Sequence, residues 1–256
     1  MKFSVELVIP GLITAGAAIG CGLARRHQAR RLAHLFNAQS SSIAELHELQ
    51  ATVAQQLGGG SFKEHVKLSA EVICNEPLIA PWSGESCVAY RQTITNLLEV
   101  RKESTYTDSE GRSHTEINWE RRDETLSELE RRCDFKLRQG ANSISFTSAG
   151  AEMELETVFN TVDPPQLINS LTSRSLGVRR TEDIFRASGM VFVLAECNDA
   201  NGELCLEIPS EGGTFVVHRG NEEDFNQAIR SWRRIWSASA IALAGTSLIF
   251  FLLAIM

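Results

Sequence analysis

The chain has 256 residues, a formal net charge of −7, 43% hydrophobic residues and 22% charged residues. That length admits one or two domains, and the balance describes a folded protein while excluding a general nucleic-acid binder. The average conceals two uncharged stretches, 7–24 and 237–256.

Each stretch is long enough, at about 27–30 Å as a helix, to match a bilayer core. The sequence therefore predicts transmembrane helices over 5–24 and 237–256. A secretory signal peptide is the alternative for the first. Against it stand the single leading cation Lys2, Glu6 beside the apolar run, and the charges gathered on the far side. Gly16 and Gly20 lie one turn apart on one face, as do Ala240 and Ala244, and such small pairs suit close helix approach in lipid. Arg25, Arg26, Arg30 and Arg31 follow the first stretch, and Arg230, Arg233 and Arg234 precede the second. By the positive-inside rule residues 25–236 are expected on the cytoplasmic side, with both termini outside. The clusters also sit where anionic headgroups would attract them, although topology alone explains them.

Residues 25–60 form an amphipathic helical segment and a linker. Leu32, Leu35, Phe36, Ile43, Leu46, Leu49, Val53 and Leu57 recur at helical spacing. Ser42 and Glu45 make a capping box that restarts the helix after Ser40–Ser42, and Gly58–Gly60 stops it. The segment is either a self-associating stalk or a helix packed on its own β domain or on a membrane. Its brevity and interruption favour packing.

Strand texture begins after the glycines. Val66, Leu68, Ala70 and Val72 alternate; a Pro-rich corner follows at 77–84; Cys87, Val88, Tyr90 and Ile94 carry β-prone residues onward. Pro77 and Pro81 lack an N–H and cannot lie inside a central strand, so with Trp82, Ser83 and Gly84 they form a rigid turn. Trp82 is expected to fold onto the β core and close one end of a barrel, its truncation costing about 3–5 kcal/mol. Residues 101–114 read as a polar excursion turning at Asp108–Gly111, and 123–132, dense in both signs of charge, as a solvated helical or loop face. Short alternating runs follow around Phe135, Ile144 and Leu155, punctuated by Gly140 and Gly150. Residues 190–196 form the most apolar strand outside the end stretches, a turn follows at Asn198–Gly202, and Asn221 with Asp224 caps a last helix. The expected fold is mainly β, a small barrel or sandwich with minor helices, flanked by the two transmembrane helices.

The corner resembles the opening signature of the GIDE, or "beside a membrane", domain of the mitochondrial ubiquitin ligase activator family. Pro77, Leu78, Pro81, Ser83, Gly84, Cys87, Tyr90 and Arg91 occupy its Pro-Leu-x-x-Pro, Ser-Gly and Cys-x-x-Tyr-Arg positions. Farther on, Gly177, Arg179, Thr181, Glu182, Asp199, Gly202, Glu222 and Glu223 match a second set. Val178 replaces a usual Tyr, Ala195 stands where Gly is common, and Arg138-Gln-Gly140 replaces an Asp-containing turn. The likeness spans roughly 64–234 and implies a GIDE-like β domain over 61–220 with a juxtamembrane helix over 221–236. In ligase relatives a RING module follows the second membrane helix and carries catalysis; none follows here before Met256.

No spacing names a reaction. The six cysteines, Cys21, Cys74, Cys87, Cys133, Cys197 and Cys205, contain no Cys-x-x-Cys pair and read as small core residues in a reducing compartment. The six histidines show no ligand spacing, and no phosphate loop or nucleophile elbow occurs. Glu182 and Asp183 beside Arg179 and Arg180 read as a structural ion-pair network, and Cys87 as core. No catalytic, cofactor or metal residue is assigned. Pro77, Pro81, Trp82, Gly84, Cys87, Tyr90, Arg91, Gly177, Arg179, Thr181 and Glu182 make up a structural or interaction motif. The function expected is a non-catalytic, membrane-tethered interaction or scaffold module. It would bind a protein or an anionic lipid at the bilayer surface, with homo-oligomerisation left open and nucleic acid excluded. Two alternatives remain: a component of a RING-type E3 ubiquitin ligase-like system whose catalytic module is supplied in trans, and an enzyme with an unrecognised site.

Overall fold

The computed structural model describes residues 5–107, 111–165 and 172–255. In chain order its elements are α1 (Val5–Asn37), β1 (Gln39–Ser40), α2 (Ile43–Leu57), β2 (Lys63–Ile73), β3 (Leu78–Ile79), β4 (Ser86–Thr107) and β5 (Ser113–Arg132). There follow β6 (Phe135–Gln139), β7 (Asn142–Phe146), β8 (Glu152–Met153), β9 (Glu156–Asp163) and β10 (Ser173–Arg186). The chain ends with β11 (Met190–Asn198), β12 (Cys205–Glu207), β13 (Val216–Arg219) and α3 (Glu222–Ile255). These divide into two compact units. One takes the chain up to Val72, residues 136–152 and the chain from Gly189; the other takes 73–135 and 153–188.

The first unit is built on a barrel. Strands β2, β6, β7, β12 and β11 pair in that order, and β2 pairs again with β11, so five strands close on themselves. Val66, Leu68, Ala70 and Val72 of β2 are buried at every second position, the period of a strand with one face on a core. From Val191 on, β11 is buried at every position. It has partners on both edges, β2 along its length on one and β13 then β12 on the other. Continuous apolar sequence is what such a strand requires.

Helix α2 begins with the capping box expected of it: Ser42 Oγ accepts from Glu45 N (3.2 Å) and Glu45 Oε2 accepts from Ser42 N (2.7 Å). Ile43 and Leu46 are wholly buried, and Ile43 N donates to Gln139 of β6 at 3.0 Å. Packing on its own barrel is thus the role seen for this helix. Helix α3 starts with a second reciprocal pair, Asn221 and Asp224. Its Phe225 and Ile229 then join Ala38, Phe192, Leu194 and Val216 in one apolar cluster.

The two terminal helices correct the membrane expectation. Among the described residues no helix is long and apolar enough to cross a membrane. Transmembrane spans at 5–24 and 237–256, the topology with residues 25–236 cytoplasmic and both termini outside, and the tethered scaffold built on them all fall with it. Of the two spans, only residue 256 of the second lies outside the described residues. The physical reason is dilution. In α1 the apolar residues are interspersed with Gly, Ala and Thr, in α3 the apolar run 248–255 follows a stretch rich in Ser, Ala, Gly and Thr, and each is only one part of a helix that also carries arginines. The helices pack on each other, with Ser247 Oγ donating to Gly11 O at 2.9 Å. Gly16 and Gly20 do not make that contact: a Cβ added at either would meet nothing within 4 Å.

The second unit is a five-stranded sheet. Strand β10 runs antiparallel to β4 on one side and β9 on the other, while β3 and then β5 share the far edge of β4. Here the structure corrects two readings. Residues 101–107 and 113–114 continue the strands of one long hairpin, and 123–132 lie in β5 rather than in a helix or loop. The turn expected at Asp108–Gly111 lies outside the described residues at 108–110. Ile117 and Trp119 give β5 strand texture at its start, but the strand is exposed along almost its whole length and beyond Trp119 neither face carries the apolar alternation that would mark a strand. Cross-strand pairs support it instead: Lys102 with Glu120 (3.3 Å), Arg121 with Glu99 (3.7 Å) and Arg91 with Glu128 (3.4 Å). Arg174 of β10 also caps the Trp119 ring at 4.4 Å.

Candidate functional site

The Pro-rich corner lies in this second unit and takes in β3 and most of the turn from it to β4. Ala80 N donates to Glu85 O (2.9 Å) and Gly84 N to Ala80 O (2.8 Å), closing the turn on itself. Gly84 has φ +74°, which only a residue without Cβ takes up at no cost.

Glu182 of β10, paired in register with Gln92 of β4, is fully buried beneath the corner. Its carboxylate accepts from Trp82 N (3.0 Å), Ser83 N (2.8 Å) and Gln92 Nε2 (2.9 Å). Burial pushes the acid upward. The hydrogen bonds from the Ser83 hydroxyl, the two corner amides and Gln92 outweigh it, and the net shift is below the ordinary carboxylate value. A buried anion held by amides is a clamp: it fixes the turn to the neighbouring strand without an arginine. The expected network of Glu182 and Asp183 with Arg179 and Arg180 is divided instead. Arg179 faces Asp123 (3.6 Å), Arg180 pairs with Asp163 (3.0 Å), and Asp183 accepts from Thr157. Strand alternation separates Arg179 from Arg180 and Glu182 from Asp183, because neighbours in sequence point to opposite faces.

Most of the remaining motif residues gather near the same end of β4. Cys87 is wholly buried, its thiol donating to Leu78 O at 3.6 Å and pushed up to about 11 by burial first and then by Glu182 and Glu85. Cys87, Ala80, Tyr90 and Ile184 form one core cluster, with Leu78 and Val158 against it. Arg91 donates through Nε (3.0 Å) and Nη2 (2.8 Å) to Glu130 of β5. Trp82 is half-buried, its ring tilted 48° on Phe159 of β9 with centroids 5.7 Å apart. The indole therefore packs on the sheet of its own unit. Pro77 is half-buried, whereas Pro81 and Gly84 are exposed. Gly177 and Arg179 stand farther along β10, and Thr181 only pairs, with Thr93 and Asn160. Sequence reasoning missed Gln92, Phe159 and Glu130. No local pattern marks them, since each meets its partner across strands that are distant in sequence.

The site's chemistry is that of a shaped surface feature. Among the described residues no group of three or more His, Cys, Asp or Glu could hold a metal ion. A family model described as "GIDE: E3 Ubiquitin ligase" matches residues 103–252, more than half of the chain. Its matched segment begins inside β4, so it takes in the Gly177–Glu182 motif but not the Pro77–Arg91 corner. Neither the curated proteins nor the solved structures contain a significant match.

Proposed function

The chain belongs to the GIDE family, and from that premise we propose that it is a component of a RING-type E3 ubiquitin ligase-like system whose catalytic module is supplied in trans. The family match, named for an E3 ubiquitin ligase, is the observation that carries this reading. The donor set of these 256 residues favours a supporting role. A RING needs paired Cys and His ligands at short intervals to enclose zinc, and the six cysteines are not paired in that way. No zinc-dependent step is therefore assigned to them.

In this reading residues 61–220 supply the GIDE-like β region and the corner supplies a structural or interaction motif. The branch of the family is read from that corner as the one typified by mitochondrial ubiquitin ligase activators. Glu182 holds the corner rigid, so Ile79, Pro81 and Gly84 are presented to solvent in one fixed shape, with little ordering entropy to lose on contact.

The test uses the tagged full-length chain with ubiquitin-activating enzyme, ubiquitin-conjugating enzyme, ATP and ubiquitin. The purified chain alone is expected to build no ubiquitin conjugates. The same chain captured from native extract is expected to bring conjugating activity that a zinc chelator abolishes. Activity of the purified chain alone would make it a ligase in its own right, and an inert captured complex would overturn the proposal.

A further inference from the structure

Cys74, just after β2, and Cys133, just after β5, stand with their sulfurs 3.8 Å apart inside the second unit. A disulfide needs about 2.0 Å, so a small side-chain movement separates this pair from a bond. Both thiols are half-buried, which leaves them within reach of a small reagent. We propose that Cys74 and Cys133 are a redox-modification site, converted reversibly to an intramolecular disulfide by exchange with a low-molecular-weight disulfide of the glutathione type.

The surroundings of three of the other four cysteines set the pair apart from them. Cys87 is wholly buried, and burial pushes Cys197 up to about 12, so neither offers an accessible thiolate. The Cys205 sulfur is engaged with Thr147 Oγ1 at 3.3 Å. Within the pair the roles differ. Burial, followed by the hydrogen bond and charge of Cys74, pushes the Cys133 thiol up to about 11. In the proposed exchange Cys74 opens the reaction and Cys133 is the resolving thiol.

The Cys74 thiolate attacks one sulfur of glutathione disulfide; the new mixed S–S bond forms, the old one breaks, and one glutathione leaves with the proton that Cys74 gave up. Modification of Cys74 removes its own contributions to the Cys133 thiol and leaves burial and Cys87 opposing ionisation, with the backbone hydrogen bond at Leu78 favouring it. The Cys133 thiolate then attacks Cys74 Sγ and expels the second glutathione, which takes the second proton. Two cysteine thiols have lost two electrons, and one glutathione disulfide has become two thiols. The new bond ties the segment entering β3 to the end of β5, where Cys133 N already donates to Val88 O at 2.9 Å. It therefore closes a loop that contains the corner and the whole β4–β5 hairpin.

The purified full-length chain is equilibrated with glutathione at graded ratios, quenched, alkylated and mapped by peptide mass spectrometry. The expected product is a Cys74–Cys133 bond with two fewer alkylated thiols, reversed by excess reduced glutathione. Cys133→Ser, with Cys133→Ala as a second replacement should serine perturb folding, is expected to trap a glutathione adduct on Cys74. Cys87→Ser is expected to cross-link as wild type does. A bond through any other cysteine, stable adducts without a cross-link in wild type, no trapped adduct in the variants, or full alkylation at every ratio would each overturn the assignment.

Discussion

At Gly177 one added carbon atom decides the outcome. The residue sits at a bulge in β10 with φ +143°, and a Cβ there would lie 2.6 Å from Asp163 O and 3.0 Å from Val162 Cγ1. The nearer obstacle is backbone and cannot swing away, so Gly177→Ala is expected to destabilise the protein by about 1–3 kcal/mol. A lowered denaturant midpoint checks this; an unchanged midpoint would mean that the bulge relaxes freely. Trp82 illustrates how exposure rescales an expectation. Its ring keeps one face on Phe159 and is only half-buried, so Trp82→Ala should remove about 1–3 kcal/mol and not the 3–5 of a fully buried aromatic. The same melts measure it. The turn at the corner was legible in the sequence because proline fixes φ and glycine admits positive φ locally. Glu182's role was not, since its partners Trp82 and Ser83 lie about a hundred positions away.

Among the elements, the β4–β5 hairpin shows best where pattern reading stops. Strands such as β2 and β11 announce themselves because a core selects their side chains. Strand β5 carries Glu116, Glu120, Arg121, Arg122, Asp123 and Glu124 with no buried face, and a solvated helix or loop would carry the same composition. What makes it a strand is β4, to which it pairs from Ala89↔Arg132 to Thr107↔Ser113. That dependence has a dynamic consequence. Near Arg91 the hairpin is braced by the core cluster and by β10, whereas beyond Arg101 both strands are mostly exposed. Amide hydrogen exchange is expected to be slowest for residues 87–93 and to quicken steadily toward 107 and 113. Uniform protection along β4 would show that the far half is held by contacts other than its own pairing.

At the scale of the whole molecule, barrel closure joins β2 to β11 across more than a hundred residues. Alternation can place a strand on a core but cannot say which distant strand it will meet, and for that reason the division into two units was not legible. The terminal helices were legible as helices; whether their apolar residues meet lipid or one another depends on a partner helix at the opposite end of the chain. Each unit also carries its own depressed carboxylates, and these set the response to acid. In the second unit they are Glu182 and Glu130; burial pushes Glu130 up, and its hydrogen bonds and charge contacts with Arg91 and Arg132 pull it lower still. In the first unit Asp199 is lowered by the hydrogen bond from Gln50 foremost, with the Phe62 and Gly60 amides adding to it against burial. A carboxylate whose folded-state pKa lies below its unfolded value contributes stability that is complete above the unfolded value, about 4 for Asp and Glu. That contribution is lost as pH falls through the folded values. Melting temperature is therefore expected to hold between pH 7 and about 5 and then to fall steeply below about 4. Glu182→Gln should start lower at pH 7, because an amide N–H replaces one acceptor oxygen facing the corner amides, and it should lose less on acidification because that group no longer titrates. Thermal melts of both proteins at pH 7, 5, 4 and 3 decide the matter: parallel curves would show that Glu182 is not among the groups whose protonation unfolds the chain.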